Sequence, residues 1–310
     1  MSPPLSQTLP RPPSILLDLY GLSASEAAHP SIYEQSREAS LFTPSNDESR
    51  PYVTLTFAQS LDAKIAGAGG KQLILSGKES MVMTHWMRTL HDAIIVGIGT
   101  ALNDDPQLNT RHLPPLAEGH PHGYRIPRPV ILDTHLRLPP ACKLLKNYQA
   151  GRGRRPWVVC ARRTGSRDVA DNEAFTKRAA ALQNAGARIV EVDADEASGA
   201  IAIPALLSAL RELGVRSVMV EGGARVIRAF LSAAAPAHRS AGSGSGSGDP
   251  NTKKANAKAV DALVVTVAPT LVGAAGVGYG TELLADALPT FQHVRTEAFG
   301  PDAVTALKVL

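Results

Sequence analysis

Short apolar runs recur along the chain, and longer polar, helical or turn-forming segments separate them. Runs of this kind that are rich in Val, Ile and Leu are typical of strands buried in a sheet. Run 262–267 is almost continuously apolar, which predicts a central strand, whereas run 303–310 alternates, which predicts a strand near the edge. The predicted strands are 52–57, 73–75, 93–96, 129–132, 157–160, 188–192, 217–220, 262–267 and 303–310.

Helical signals lie between several of these runs. Ser76 stands three residues before Glu79, which predicts a capping box and a helix that continues to about His91. Further helices are predicted at 172–185, at 204–213 and after the turn that follows the strand 217–220. Because strands alternate with helices, the predicted fold class is α/β, with a largely parallel central sheet of about eight or nine strands flanked by helices.

Three segments fall outside this pattern. Residues 1–50 are rich in Pro, Ser and polar groups, so we expect a mostly flexible extension with one short helix near 25–40. Residues 51–310 are predicted to form a single domain. Within it, segment 112–129 reads as a Pro- and His-rich surface loop without metal-ligand spacing, and segment 236–258 as a Gly/Ser-rich insertion.

Composition excludes several classes of protein. The 32 cations and 28 anions are mixed along the chain, so the net charge of +4 gives no nucleic-acid footprint, although it would help attract a phosphorylated small molecule. Cys142 and Cys160 have neither metal nor disulfide spacing, which suits a reducing compartment. We see no signal peptide and no run near the ~18 apolar residues that a membrane span needs. A cytoplasmic protein without membrane partners is therefore predicted.

Two glycine-containing turns follow predicted buried strands. The first places Gly97, Gly99 and Thr100 at a strand end and brings Asp104 soon after, an arrangement typical of a ligand site in an α/β sheet. The alternative is an ordinary strand-to-helix turn. No glycine stands at 102, so the dinucleotide fingerprint is absent and an ordinary Rossmann dehydrogenase is disfavoured.

The second turn is Glu221-Gly222-Gly223. Its glycines would let backbone amides approach a pyrophosphate at the start of the next helix, where the dipole favours an anion. The alternative is that the glycines only permit a tight turn.

Other polar residues have two interpretations each. Asp62 and Lys64 could lie at the mouth of a site, or cap a turn and face solvent. Arg88, with His85 on the same helical face, could clamp a phosphate or be a surface arginine. The pair 162–163 could hold the 2′-phosphate of NADP or be solvated. Hydrolase and zinc-enzyme motifs are absent from the sequence.

Four motifs, taken together and in order, resemble the reductase family of riboflavin biosynthesis: 54–66, 92–100 with 104–106, 130–133 and 220–223. The similarity extends from about Pro51 to Leu310. It implies a dihydrofolate-reductase-like α/β fold, a homodimer and NADPH as cofactor, with NADH possible. Many members carry glycine where this chain has Ala63, so the turn there is expected to differ slightly.

The resemblance also assigns roles by position. The implied cofactor-binding residues are Thr100, Asp104, Thr134, Ala161, Gly222, Gly223, Ala224, Arg225, Val226 and Ile227. The implied substrate-binding residues are Lys71, Arg88, Leu108, Arg111 and Glu221. The proton donor stays open between Asp62, Lys64, Glu221 and water.

The activity implied is NADPH-dependent reduction of a ribosylamino pyrimidinone 5′-phosphate to its ribitylamino form. The substrate is a small molecule, and either its deaminated or its non-deaminated form fits. Two alternatives remain: a dihydrofolate-reductase-like reductase of another heterocycle, and a non-catalytic nucleotide-binding protein.

Overall fold

The computed structural model describes residues 10–23, 49–116, 118, 123–163, 169–195, 198–234, 258–280, 283 and 288–310. The strands in this part of the chain are β1 (Tyr52–Gln59), β2 (Lys64–Ala66), β3 (Ala93–Gly97), β4 (Arg128–Leu132), β5 (Trp157–Ala161), β6 (Arg188–Val192), β7 (Ser217–Glu221), β8 (Ala262–Val267), β9 (Val277–Gly278), β10 (Phe291–Phe299) and β11 (Asp302–Val309). The helices are α1 (Ser14–Tyr20), α2 (Lys78–Leu90), α3 (Ile98–Asp104), α4 (Lys143–Gln149), α5 (Val169–Asn184), α6 (Ile203–Glu212) and α7 (Ala224–Ala234).

Nine of the described strands form one sheet in the order β10-β11-β8-β1-β7-β3-β4-β5-β6. The seven strands from β8 to β6 run parallel, whereas β11 is antiparallel to β8 and β10 is antiparallel to β11. The chain moves outward from β3 to β6 and then returns, so that β7 lies between β1 and β3. The predicted α/β class, with a largely parallel sheet of eight or nine strands flanked by helices, is confirmed.

The sheet separates two apolar cores. One face packs against α1, α2, α3, α4 and α5, and the other against α6 and α7. Neighbouring residues of the buried strands contribute to opposite cores, as Ile94 and Ile95 of β3 do. Because both faces are covered, the central strands are predominantly apolar, which is why the sequence pattern located them so clearly.

Most predicted strands are present, but residues 73–75 do not form a strand. They lie in an irregular segment, and the Ile74 side chain is 91% exposed. The short strand lies earlier instead, where β2 pairs with β9 in a small separate sheet. An apolar run without a pairing partner has no ladder to satisfy its backbone groups, so it does not become a strand.

The predicted capping box at Ser76 is also wrong. Helix α2 begins at Lys78, and its N-cap, Gly77, makes no side-chain cap. Asp302, at the start of β11, takes over this role by accepting hydrogen bonds from the Gly77 N–H at 2.7 Å and from the Ser80 hydroxyl. A carboxylate from a distant strand therefore replaces the local cap.

Strand β10 and helices α1, α3 and α4 were not predicted. Strand β10 is an edge strand with many exposed polar residues, so it lacks the apolar run that marks the central strands. Helix α1 belongs to the core, because Ile15, Leu16 and Leu19 are completely buried in it. Most of segment 1–50 lies outside the described residues, so its expected flexibility stays a prediction. The helix predicted near 25–40 and most of the 236–258 insertion lie outside the described residues, and the proposed domain division stays a prediction.

A buried polar chain fastens α1 to the sheet. The Tyr20 hydroxyl lies 3.3 Å from the Thr54 hydroxyl, which lies 2.9 Å from His91 Nε2. The other ring nitrogen of His91 lies 2.7 Å from the Met87 carbonyl oxygen, so it donates there and Nε2 accepts. Burial lowers the pKa of His91 to about 4, which keeps this ring neutral.

No helix in the described part of the chain is long and apolar enough to span a membrane.

We expect Leu16→Ala to lower the free energy of unfolding by about 2–5 kcal/mol, because it removes buried side-chain volume from the α1 contact. Asp18→Ala on the same helix removes only an exposed ion pair with Arg295 and should change it by less than about 1 kcal/mol. Urea unfolding of both variants measures the difference. Equal small losses would show that α1 does not belong to the core.

Candidate active site at the carboxyl edge of the sheet

A cleft of about 1320 Å³ opens at the carboxyl ends of the central parallel strands. Its walls come from β1, β7 and β8, from the turns after β3 and β7, from one face of α2, and from the small β2–β9 sheet. Among the predicted site residues, those lining it are Asp62, Lys64, Arg88, Thr100, Asp104, Leu108, Arg111, Glu221, Gly222, Gly223, Ala224, Arg225 and Val226.

The two glycine-containing turns meet in this cleft. Strands β3 and β7 are neighbours, with Ile95 paired to Val220. Helix α3 leaves β3 toward one face of the sheet and α7 leaves β7 toward the other. Adjacent parallel strands whose helices diverge in this way leave a crevice between them, which is where ligands bind in open α/β sheets.

Two glycines lie where the two turns approach each other, and close packing explains the one at position 97. A Cβ at Gly97 would lie 2.8 Å from Val226 Cγ2, so any side chain there would force β3 and α7 apart. A Cβ at Gly223 would lie 3.5 Å from the Thr100 hydroxyl, on the cleft side. The absence of a side chain at 223 thus leaves the α7 N-terminus accessible next to Thr100.

Arg88 and Glu221 form a two-pronged ion pair within the cleft wall. Arg88 Nε and Nη2 donate to Glu221 Oε1 and Oε2, each at 2.9 Å, and Nη1 donates to the Asn109 carbonyl oxygen at 3.0 Å. The two side chains are 10% and 24% exposed. Parallel forked bonds of this kind are strong and fix both groups geometrically.

This pairing changes the sequence-based view of Arg88 as a phosphate clamp. Its charge is balanced by Glu221, and three of its five N–H donors are already used. The arginine therefore holds Glu221 in place at the end of β7, opposite Thr56 of β1. Arg111, unlike Arg88, has a side chain that is exposed at the rim of the same cleft.

Asp62 is occupied by hydrogen bonds. The Ser60 hydroxyl donates to it at 2.6 Å, and the N–H groups of Val272 and Gly273 donate at 3.1 and 2.7 Å. These bonds lower the pKa of Asp62 to about 2. The carboxylate is ionised at neutral pH and ties the turn after β1 to the segment before β9, which argues against a role as proton donor.

Lys64 lies on β2 at the mouth of the cleft. A Cβ at Gly276 would come within 2.9 Å of its Cγ, so the chain before β9 supports the lysine stem closely. Within the described part of the chain, its ammonium group has no hydrogen-bond or acidic partner. The preceding Ala63 has φ of 56°, the left-handed region that favours glycine. The turn thus keeps the glycine-type backbone despite the alanine.

Some predicted residues lie outside this cleft. Lys71 is exposed on the loop before α2, and Ile227 is buried in the core beneath α7. Thr134 follows β4 and Ala161 ends β5, so both lie at the same edge of the sheet but farther out. The paired arginines already have acidic partners: Arg162 with Asp193, and Arg163 with Asp171.

The cleft also contains polar residues that sequence reasoning did not assign. Thr56 and Thr266 are buried polar side chains on β1 and β8, and a hydroxyl among otherwise apolar strand positions was an available signal. His85 was noticed only as a neighbour of Arg88. Arg228 and the segment 276–278 gave no sequence signal, because only the fold brings them to the cleft.

Residues 51–235 match the RibD C-terminal domain family, which is more than half of the chain, and the chain belongs to this family. It is 32% identical over 237 residues to the 2,5-diamino-6-ribosylamino-4(3H)-pyrimidinone 5′-phosphate reductase of Debaryomyces hansenii, covering 76% of this chain and 82% of that one. The protein of the same name from Eremothecium gossypii is 35% identical over 192 residues, covering 61% and 71%.

Solved structures show the same fold. The riboflavin biosynthesis reductase Rib7 of Saccharomyces cerevisiae aligns with a TM-score of 0.57 at 23% identity, covering 86% of this chain and 93% of that one. The central sheet and its flanking helices are therefore those of the riboflavin reductases, the arrangement that the sequence motifs implied.

We expect a double-mutant cycle with Arg88→Met and Glu221→Gln to give a coupling energy of about 1–3 kcal/mol in the free energy of unfolding, because each residue is the main partner of the other. Denaturant unfolding of the four proteins measures it. The exposed pair Arg295 and Asp18 serves as the control, with a coupling below about 1 kcal/mol. A coupling at the Arg88 pair no larger than at the control would contradict the description of this pair.

Proposed function

We propose that the chain is an oxidoreductase that uses NADPH to reduce the ribosylamino side chain of 2,5-diamino-6-ribosylamino-4(3H)-pyrimidinone 5′-phosphate to the ribitylamino form, a step of riboflavin biosynthesis. The observation that carries this proposal is the meeting of Thr100, Gly223, Glu221 and Arg111 around one cleft. The family membership and the names of its relatives support the same activity.

The residues on the β3–β7 side fit a nicotinamide dinucleotide. The open α7 N-terminus at Gly222 and Gly223 suits a pyrophosphate, since backbone N–H groups and the helix dipole favour an anion there. From β7 to β5 the sheet edge covers three strand spacings, about 14 Å in all. Thr134 and Ala161 would meet the outer part of an extended dinucleotide along this edge.

Preference for NADPH over NADH would depend on the residues that meet the outer end of the dinucleotide. Arg162 lies directly after β5 and pairs with Asp193, but both side chains are mostly exposed. Exposed ion pairs are weak, so a 2′-phosphate can displace the aspartate at little cost. Arg163 is held more firmly, because it pairs with Asp171 and lies over the Phe175 ring.

The α2 side of the cleft fits the sugar phosphate. Arg111 offers an exposed guanidinium at the rim, a group that recognises phosphate through two parallel donors. Glu221 is fixed by Arg88 and would accept hydrogen bonds from sugar hydroxyls or from the amino groups of the base. We propose that Arg88 acts on the substrate through Glu221.

Reduction at the sugar requires opening of the ribose ring to a protonated imine: the amino nitrogen forms a double bond to C1 as the C1–O bond breaks, and the ring oxygen takes up a proton. A reduced nicotinamide, when bound, supplies the hydride that C1 accepts. Of the candidate donors, Asp62 is ionised and fully bonded and Glu221 is paired with Arg88. The Lys64 ammonium lies at the cleft mouth and has no partner among the residues that the structure describes, so we propose it as the proton donor.

The test is oxidation of NADPH by the purified chain, followed by absorbance with the non-deaminated and the deaminated substrate in turn and repeated with NADH. We expect turnover with NADPH, and Lys64→Gln should lower kcat by about 10²–10⁴-fold because it removes the donated proton. Lys78→Gln, an exposed lysine on α2, is the matched control and should behave as wild type.

Lack of turnover with both substrates and both cofactors would overturn the proposed function. Full activity of Lys64→Gln would leave the reductase in place but remove the lysine as proton donor.

A further inference from the structure

His85 is a buried imidazole in the wall of the cleft. It lies on α2, one turn before Arg88, and the residue is only 2% exposed. Its ring meets the ring of His112 edge-on, with centroids 4.8 Å apart. The ring belongs to the cleft lining, so a ligand in the cleft would meet it.

One hydrogen bond fixes the tautomer of this ring. The backbone N–H of Arg111 donates to His85 Nδ1 at 3.1 Å, so Nδ1 is an acceptor. In a neutral imidazole the proton then lies on Nε2. Among the residues that the structure describes, Nε2 has no hydrogen-bond partner. Nε2 is not one of the fully buried polar atoms that lack a partner, so it is open to the cleft and can donate to a bound group there.

The surroundings keep the ring neutral. Arg88 approaches from the same helix, and Arg111 and His112 approach from the loop packed against it. Burial comes first, and these neighbouring charges add to it, in lowering the pKa of His85 to about 3. The ring is thus an uncharged N–H donor with a fixed direction throughout the neutral pH range.

We propose that His85 is a further substrate-contacting residue, whose Nε2–H donates to an oxygen of the substrate's 5′-phosphate. The inference rests on the proposed function. Beside His85 the cleft offers the exposed guanidinium of Arg111 and the imidazole N–H, both of which only donate, whereas the Glu221 carboxylate already accepts two hydrogen bonds from Arg88. A wall of donors suits an anionic oxygen better than a hydroxyl.

His85 also links the helix to the segment that carries Arg111. Nδ1 of the ring accepts the backbone N–H of Arg111, so His85 positions this arginine while its Nε2–H donates to the ligand. Two conservative variants separate these tasks. Asparagine places a carbonyl oxygen near the position of Nδ1 and keeps the acceptor, whereas glutamine places an N–H near the position of Nε2 and keeps the donor.

The experiment is calorimetric binding of ribose 5-phosphate to wild type, His85→Asn and His85→Gln, with ribose as the ligand that lacks phosphate. We expect His85→Asn to weaken ribose 5-phosphate binding by about 10- to 100-fold, the usual loss for a hydrogen bond to a charged group. His85→Gln should stay within about threefold of wild type, and ribose should show no difference between the variants.

The inference is overturned if wild type does not bind ribose 5-phosphate, if His85→Gln is the weaker binder, or if both variants are affected alike or not at all. Failure of the proposed function gives a different result. In that case ribose 5-phosphate binds as expected, but no NADPH is oxidised with either pyrimidinone substrate.

Discussion

The position of β7 between β1 and β3 determines the rest of the site. Strands β3 and β7 run in parallel as neighbours, and their following helices leave on opposite faces, so a crevice opens at their carboxyl ends. Gly97 allows Val226 to pack against the end of β3, and Gly223 leaves the start of α7 uncovered beside Thr100. A side chain at either position would separate the two turns or fill the space between them.

A forked ion pair lies in the wall of the cleft. Arg88 and Glu221 satisfy each other, so the wall is rigid and nearly neutral where they lie. Other donors that line the cleft include Lys64 at its mouth, and Arg111 with His85 beside α2. This separation divides the proposed work of the cleft into proton donation near the sugar ring and recognition of a phosphate farther away.

The sequence predicted those parts of the molecule that are determined by the local pattern of residues. Strands buried on both faces, such as β3 and β7, require a mainly apolar run, and the glycines at their ends marked the turns. Strand β10 is exposed at the sheet edge and carries no such pattern. The cap on α2 comes from Asp302, and the partner of Arg88 lies 133 positions along the chain. Contacts of that separation follow from topology, which the local pattern does not contain.

The most direct test of the shared cleft is hydrogen–deuterium exchange of the full chain with and without NADPH. If both turns hold one cofactor, amides in 98–104 and in 222–227 become protected together, while α6, which does not line the cleft, exchanges as before. Protection of only one turn, or protection at α6 without either turn, would contradict a single cofactor site between β3 and β7.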